Sequence, residues 1–273
     1  MFKVFVGYDR REPIAYEVCV HSIKERLSEK SKKLITIHPL NQEYMRSLGI
    51  YERPVDMMAS TEFTYSRFWC PYLMDYKGYS LFIDCDFLVN CDIMEMFETA
   101  IDLFKSNSEY VVALCKHDYT PRPGNKMDNK IQVTYPRKNW ASAMVFNNSH
   151  PICRRLNLEN LNNPANDGRY FLGFRWLGDT PHHLDDEKNM LEGERRIASL
   201  PLDFNWLSGE YREGEHLAEG KTLPRIIHYT LGGPWFYDEK CWNYPYVDLW
   251  LKEVKKLIGR DWTRKDTVDY PGQ

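Results

Sequence analysis

The sequence predicts an α/β fold in which a largely parallel sheet is flanked by helices. Short apolar runs alternate with helical patterns along the first half of the chain, which is typical of this class. One of these runs, over residues 79–84, leads directly into Asp84-Cys85-Asp86. The chain has 273 residues, of which 43% are hydrophobic, so a single domain spanning 1–273 can bury a large core.

The elements follow in order along the chain. The first strand is predicted over 3–7, and Pro13 opens a helix because its missing N–H costs nothing in a first turn. We expect Asp92 to cap a later helix that passes through Phe97. Further strands are predicted at 34–40, 79–84, 110–115 and 142–147, a helix at 63–76, polar loops at 120–130 and 209–221, and an amphipathic helix at 242–256. For that last helix, packing on the core is favoured over contact with a membrane surface.

Asp84 and Asp86 are the first candidate functional residues. Two carboxylates at the end of a buried strand lose water and repel each other, and a divalent cation removes both penalties. Oxygen ligands on a short loop suit Mg²⁺ or Mn²⁺, which can then hold a diphosphate. An Asp-x-Asp triplet also arises by chance, so its position after a strand is what makes it informative. Because parallel strands end at one edge, Gly7-Tyr8-Asp9 should meet Asp84-Cys85-Asp86 there.

A second candidate segment lies at 224–235, where an apolar strand ends in His228. An imidazole beside two carboxylates would complete a metal site and favour Mn²⁺ over Mg²⁺. Gly232 and Gly233 permit close approach of the backbone, and their amides can meet phosphate oxygens. A structural histidine at the end of a strand is the competing interpretation.

Composition excludes several classes. With a net charge of −3, the chain as a whole has no positive electrostatic field that would attract nucleic acid. The 7 cysteines show no C-x-x-C spacing, which argues for a reducing compartment and against a disulfide scaffold. The first residues form a strand rather than a signal sequence, and no stretch approaches the ~20 apolar residues of a membrane span, so we expect a cytoplasmic protein. The 8 Trp and 18 Tyr suggest an aromatic pocket for bases or sugars.

Six segments, taken in order, resemble the nucleotide-sugar glycosyltransferases of the GT-A fold. They are similar above all to family 8, the retaining group that includes glycogenin and the bacterial lipopolysaccharide galactosyltransferases. The matching segments are 6–9, 64–68, 83–89, 139–147, 200–207 and 228–235. Two departures indicate a divergent bacterial or viral branch. Gly233 stands where the family usually has a lysine before Pro-Trp, and Ala141-Ser142 where it tends to have Ala-Gly.

The resemblance implies a role for each matching residue. Residues 1–115 would bind nucleotide and metal, and 116–273 the sugar and acceptor. The resemblance implies a site that holds a divalent cation and the donor, with UDP-glucose or UDP-galactose favoured over a GDP-sugar. Tyr8 would stack on the base, and Asp9 would accept from the uracil N3–H. The implied ligands are Asp84, Asp86 and His228 for the metal; Val6, Gly7, Tyr8, Asp9, Arg67, Asp84, Cys85, Asp86, Asn139, Ala141, Ser142, His228, Gly232 and Gly233 for the donor; and Arg67 with Asp185 or Asp186 for catalysis.

The same residues fit other interpretations. Asp185 and Asp186 also fit a plain helix N-terminus, where acids are favourable. A sugar-1-phosphate nucleotidyltransferase would need a glycine-rich basic loop after the first strand, but Gly7-Tyr8-Asp9-Arg10-Arg11 has a single glycine. A non-catalytic carbohydrate-binding protein would explain the aromatic residues but not the aspartates and histidine. The acceptor would be a glycan, a lipid-linked sugar or a protein.

Overall fold

The computed structural model describes residues 1–56, 59–118, 137–180 and 186–267. The strands are β1 Phe2–Gly7, β2 Ile35–Leu40, β3 Tyr79–Ile83, β4 Phe87–Val89, β5 Val112–Leu114, β6 Ala143–Asn147, β7 Ile197–Ser199, β8 Trp206–Leu207 and β9 Ile226–His228. The α-helices are α1 Pro13–Arg26, α2 Glu29–Lys32, α3 Gln42–Ser47, α4 Cys70–Leu73, α5 Met94–Ser106, α6 Leu158–Asn162, α7 Gly168–Phe171, α8 Asp186–Glu194 and α9 Val247–Ile258. The predicted loop at 120–130 lies outside the described residues.

The main sheet has six strands in the order β2-β1-β3-β6-β5-β7. β1 runs parallel to β2 and β3, and β5 parallel to β7, whereas β6 is antiparallel to both of its neighbours. The prediction of a largely parallel sheet flanked by helices is therefore confirmed. Val6 lies opposite Ile83 in the parallel pair, so the chain leaves β1 and β3 at the same edge, as predicted.

A second sheet of three strands, in the order β4-β9-β8, lies next to this edge. β4 begins directly after Asp86 and pairs antiparallel with β9, which places Phe87 opposite His228. β8 lies on the other side of β9 and runs parallel to it. The small sheet thus brings the end of the 224–235 segment to the aspartates.

The prediction of one helix over 63–76 is wrong. Ser66–Trp69 forms a 3-10 helix and α4 then makes a single turn that ends at Leu73. Pro71 has no N–H to donate to the carbonyl of Arg67, which accepts from the Cys70 thiol instead. Asp75 and Tyr76 both have positive φ, which no helix continues through.

The N-cap of α5 is Ile93 rather than the predicted Asp92, but Asp92, one residue earlier, still accepts from the Met94 amide through Oδ1 at 3.0 Å. At the other end of the chain, α9 begins at Val247, after Tyr246 with a φ of 63°. Its Trp250 and Val254 are buried against α1 and the small sheet, so the predicted packing on the core is confirmed. None of the described helices combines the length and apolar character needed to cross a bilayer.

Glu253 ties α9 to α1 from a buried position. Its carboxylate meets His21 Nδ1 at 2.7 Å and Arg26 Nη2 at 2.9 Å. Burial raises the pKa of Glu253, but the hydrogen bonds and charges of Arg26, His21 and Lys256 outweigh it and hold the pKa below its ordinary value. A lowered carboxyl pKa stabilises the fold above the unfolded pKa of about 4.3, and that contribution is lost as the pH falls through the folded pKa.

We therefore expect Glu253→Gln to lower the stability at pH 7 by about 2 kcal/mol, the scale of lost hydrogen bonds to a charged group. The difference from the wild type should shrink on acidification below about pH 4.3. Thermal or urea unfolding followed by circular dichroism at several pH values measures both effects. A difference that stays constant down to pH 3 would contradict the assignment.

Candidate metal centre

The three predicted ligands come together. Asp84 follows β3, Asp86 precedes β4, and His228 ends β9. One ligand atom from each lies within 4.8 Å of the others. His228 Nε2 is 3.3 Å from Asp86 Oδ2. The prediction that Asp84, Asp86 and His228 converge at the sheet edge is confirmed as geometry.

His228 is held in the orientation that a metal ligand requires. Its Nδ1 donates to Asn205 Oδ1 at 2.9 Å, and the Asn205 amide donates to Ser142 Oγ at 2.8 Å, which fixes which end of the amide faces the ring. With Nδ1 as the donor, Nε2 is the ring nitrogen that faces the aspartates, and its lone pair is the one available to a metal. The Phe87 ring stacks on the imidazole at 4.2 Å.

An unpaired oxygen of Asp86 indicates that the site can hold a cation. Its Oδ1 atom is buried and accepts no hydrogen bond from the described residues. A buried carboxylate oxygen without a hydrogen-bond donor destabilises the fold by roughly several kcal/mol, as any unpaired buried polar group does. A bound cation would remove this penalty. Two carboxylates and one imidazole nitrogen are the donor set of Mn²⁺ or Mg²⁺ sites, with the nitrogen favouring Mn²⁺. The residues therefore fit a divalent cation.

Arg67 is a buried side chain that contacts the metal centre through Asp84. Its Nη1 lies 3.1 Å from Asp84 Oδ1 and donates to the Ala141 carbonyl at 2.8 Å. The guanidinium also lies over the Phe82 ring, 5.0 Å from its centroid, and is buried. These contacts position Asp84. The predicted contact of Arg67 with the donor stays a prediction.

The segment at 139–142 packs directly on the ligands. The Asp84 amide donates to the Ser142 carbonyl at 2.9 Å, and Asn139, in the left-handed region with a φ of 63°, accepts from Thr230 Oγ1 at 3.1 Å. Ala141 and Ser142 are buried. The predicted sugar-binding segment thus borders both the first aspartate and the loop that follows His228.

The end of β1 is held by ion pairs. Asp9 is fully buried, and its oxygens accept from Arg11 Nε at 2.9 Å and from the Glu62 amide at 3.1 Å. Burial raises the pKa of Asp9, but the bonds and charge of Arg11 with the Glu62 amide hold the pKa below its ordinary value. A base that contacts Asp9 would have to share these oxygens. Tyr8 is half-buried, edge-on to Tyr16.

Packing explains two glycines of the predicted donor site, Gly7 and Gly233. A Cβ on Gly7 would lie 2.6 Å from the Phe63 ring, and one on Gly233 only 2.0 Å from the Trp235 ring. Gly232 has a φ of 94°, which favours glycine. The loop after His228 therefore needs its glycine pair for its own conformation, whatever it binds.

Of the remaining predicted residues, two are buried near the centre and two belong to the segment around the start of α8. Val6 is buried in β1, and Cys85 is buried between the aspartates, where burial and the charges of Glu12, Asp86, Asp84 and Asp9 raise the pKa of its thiol well above the ordinary value. Asp185 lies outside the described residues. Asp186 begins α8, and its side chain is not among those described.

Sequence reasoning missed three side chains around the centre: Asn205, Glu12 and His117. His117 is buried with Nδ1 2.6 Å from the Tyr211 hydroxyl, and burial together with His228 and His216 lowers its pKa to about 3. Asn205 lies in a segment that was matched to the family, so its position was visible although its role was not. Glu12 follows a charged turn and carried no signal of its own.

No family model matches the chain. Protein CDI of Arabidopsis thaliana is 39% identical over 255 residues, which cover 93% of this chain and 86% of that protein. The chain belongs to the family of Protein CDI.

Solved structures show the fold. Galactosyltransferase LgtC, solved with donor and acceptor sugar analogues, matches with a TM-score of 0.53 and 15% identity over 94% of this chain and 96% of its own. The apo bifunctional glycosyltransferase WbbM matches with a TM-score of 0.53 and 14% identity over 93% of this chain, which spans only 49% of WbbM. This member of the CDI family therefore has the GT-A fold that the sequence predicted.

We expect Asn205→Ala to weaken Mn²⁺ binding by about 10- to 100-fold, the usual effect of removing the partner that orients a metal-binding histidine. Calorimetric titration of Mn²⁺ measures the change. Asn148→Ala is the matched control, because Asn148 is also fully buried and its Oδ1 also accepts a hydrogen bond, from Ser80, but at the far end of β6. Equal Mn²⁺ affinities in the wild type and Asn205→Ala would contradict the orienting role.

Proposed function

We propose that the chain is a metal-dependent glycosyltransferase that moves a hexose from a nucleoside-diphosphate sugar to a carbohydrate or glycoconjugate acceptor, with retention of anomeric configuration. The observation that carries the proposal is the convergence of Asp84, Asp86 and His228 at the carboxyl edge of the sheet. The likeness to LgtC, a galactosyltransferase solved with donor and acceptor sugar analogues, supports it.

The residues of the centre would divide the work as follows. Asp84, Asp86 and His228 Nε2 would hold Mn²⁺ or Mg²⁺. A bound divalent cation supplies Lewis acidity toward the leaving diphosphate. Arg67 keeps Asp84 in place, and Asn205 keeps the lone pair of His228 Nε2 on the side of the carboxylates. These supports make the ligand set rigid before any substrate arrives, which is the condition for electrostatic stabilisation without reorganisation.

The donor would extend from this centre toward the end of β1. We take UDP-glucose and UDP-galactose as the donors, with Val6, Gly7, Tyr8 and Asp9 near the base. The sugar would lie against the segment at 139–142, with Asp185 or Asp186 facing it, and the backbone at Gly232 and Gly233 would border the diphosphate. This direction follows from the parallel pairing of β1 with β3, which puts both strand ends side by side.

A nucleotidyltransferase receives less support. A triphosphate cradle after β1 would need basic side chains turned toward the ligand. Arg10 pairs with Glu62 at 2.8 Å, and Arg11 pairs with Asp9 and donates to the Ser60 carbonyl at 2.8 Å. Both arginines therefore stabilise the turn and the segment beside it.

We expect Asp86→Ala and Asp86→Asn to lower the Mn²⁺-dependent hydrolysis of UDP-glucose and UDP-galactose by about 1000-fold, since several kcal/mol of stabilisation at the leaving group would be lost. The fold should survive, because each change removes a source of carboxylate repulsion. The assay is UDP release with and without Mn²⁺. Asp248→Asn, which alters an exposed aspartate paired with Lys252, is the control. Near-normal turnover of either Asp86 variant with Mn²⁺ would sink the metal assignment.

The stereochemistry gives an independent test. With UDP-α-glucose or UDP-α-galactose and methanol as a simple acceptor, we expect the α-linked methyl glycoside, as the resemblance to the retaining family implies. Proton NMR of the product reads the configuration from the coupling between H1 and H2. A β-linked product would overturn the assignment to family 8 and leave the GT-A fold and the metal centre unaffected.

A further inference from the structure

Glu12 is a carboxylate at the edge of the centre that none of the assigned roles uses. It directly precedes α1, and its carbonyl accepts from the Ala15 amide at 3.1 Å, so its backbone belongs to the first helical turn. The buried Trp235 indole donates from Nε1 to Glu12 Oε2 at 3.0 Å. Trp235 is itself locked against Gly233, which fixes the direction of the Glu12 side chain.

The second oxygen of Glu12 has different surroundings. Oε1 accepts no hydrogen bond from the described residues, and the side chain is half-buried rather than solvated. Burial first, and then the charges of Asp86 and Asp9, raise the pKa of Glu12 well above its ordinary value. A carboxyl group near two others opposes folding, and the indole hydrogen bond and the charge of Arg11 offset only part of that cost. Such a placement is typical of a binding site.

The position of Glu12 matches one part of the proposed donor. The Glu12 amide donates to the Asp9 carbonyl at 3.1 Å, at the end of β1 where the base is proposed, and its Oε2 accepts from Trp235 in the loop that follows His228. Asp86 of the metal centre, Asp9 and Arg11 are the charged groups that act on it. In a nucleoside diphosphate the ribose lies between the diphosphate and the base. Ribose hydroxyls are donors, and a carboxylate oxygen is an acceptor for them.

We propose that Glu12 accepts hydrogen bonds from the ribose hydroxyls of the nucleoside-diphosphate donor and so selects ribonucleotides over deoxyribonucleotides. The inference rests on the proposed function and adds to it a residue that determines specificity. Asp9 is less suited to this task, because Arg11 and the Glu62 amide already bind both of its oxygens.

The test compares UDP with 2′-deoxy-UDP and 3′-deoxy-UDP by calorimetry in the presence of Mn²⁺. The wild type should bind UDP about 10- to 100-fold more tightly than at least one deoxy analogue, the scale of a buried polar group left without its hydrogen-bond partner. Glu12→Gln, which keeps an oxygen for Trp235, and Glu12→Ala should lose most of that preference. Glu17→Gln, an exposed acid on α1, is the matched control and should keep it.

The outcomes separate the two proposals. Equal binding of UDP and both deoxy analogues by the wild type overturns the role of Glu12, whether or not its variants fold. So does a preference that persists in a folded Glu12→Gln. In either case the proposed function stands if the wild type binds UDP in the presence of Mn²⁺ and the Asp86→Ala variant does not. If the wild type binds no nucleoside diphosphate with Mn²⁺, both proposals are wrong.

Discussion

The antiparallel pairing of β4 with β9 is the interaction on which the candidate site depends. It places Phe87 opposite His228, and the Tyr229 amide extends the ladder to the Asp86 carbonyl at 2.9 Å. Two segments that are more than a hundred residues apart in the sequence are joined in one register by this contact. A shift of one residue would turn the imidazole to the other face of the strand and remove it from the carboxylates.

Around that pairing, polar side chains hold the charged groups in fixed positions. Arg67 reaches Asp84 from the 3-10 helix, and Asn205 reaches His228 from the turn before β8. Asn205 also contacts Ser142, so the histidine and the segment at 139–142 share one hydrogen-bond network. Because every member of this network is buried, moving one side chain would leave others unpaired, and the network therefore favours a single arrangement.

The sequence predicted the parts of the site that depend on local pattern. An apolar run before Asp84 and another before His228 located both strand ends, and strand–helix alternation gave the sheet and its functional edge. The sequence did not predict the three-stranded sheet, because β4 and β8 are too short to show the alternation of apolar and polar residues that identifies a strand. Nor did it predict the partner of Arg67, since ion pairs form between distant segments. The helix over 63–76 failed because tertiary packing and Pro71 outweighed an apolar pattern.

The small sheet also separates the stability of the site from that of the fold. β4, β8 and β9 contain three, two and three residues, whereas β1, β3 and β6 contain six, five and five. Short ladders contain few hydrogen bonds, so β9 depends on the packing of its buried side chains, Ile226, Ile227 and His228, for its position. A divalent cation bound by Asp84, Asp86 and His228 would link the ends of β3, β4 and β9. Its binding free energy would therefore stabilise the attachment of the last third of the chain to the main sheet.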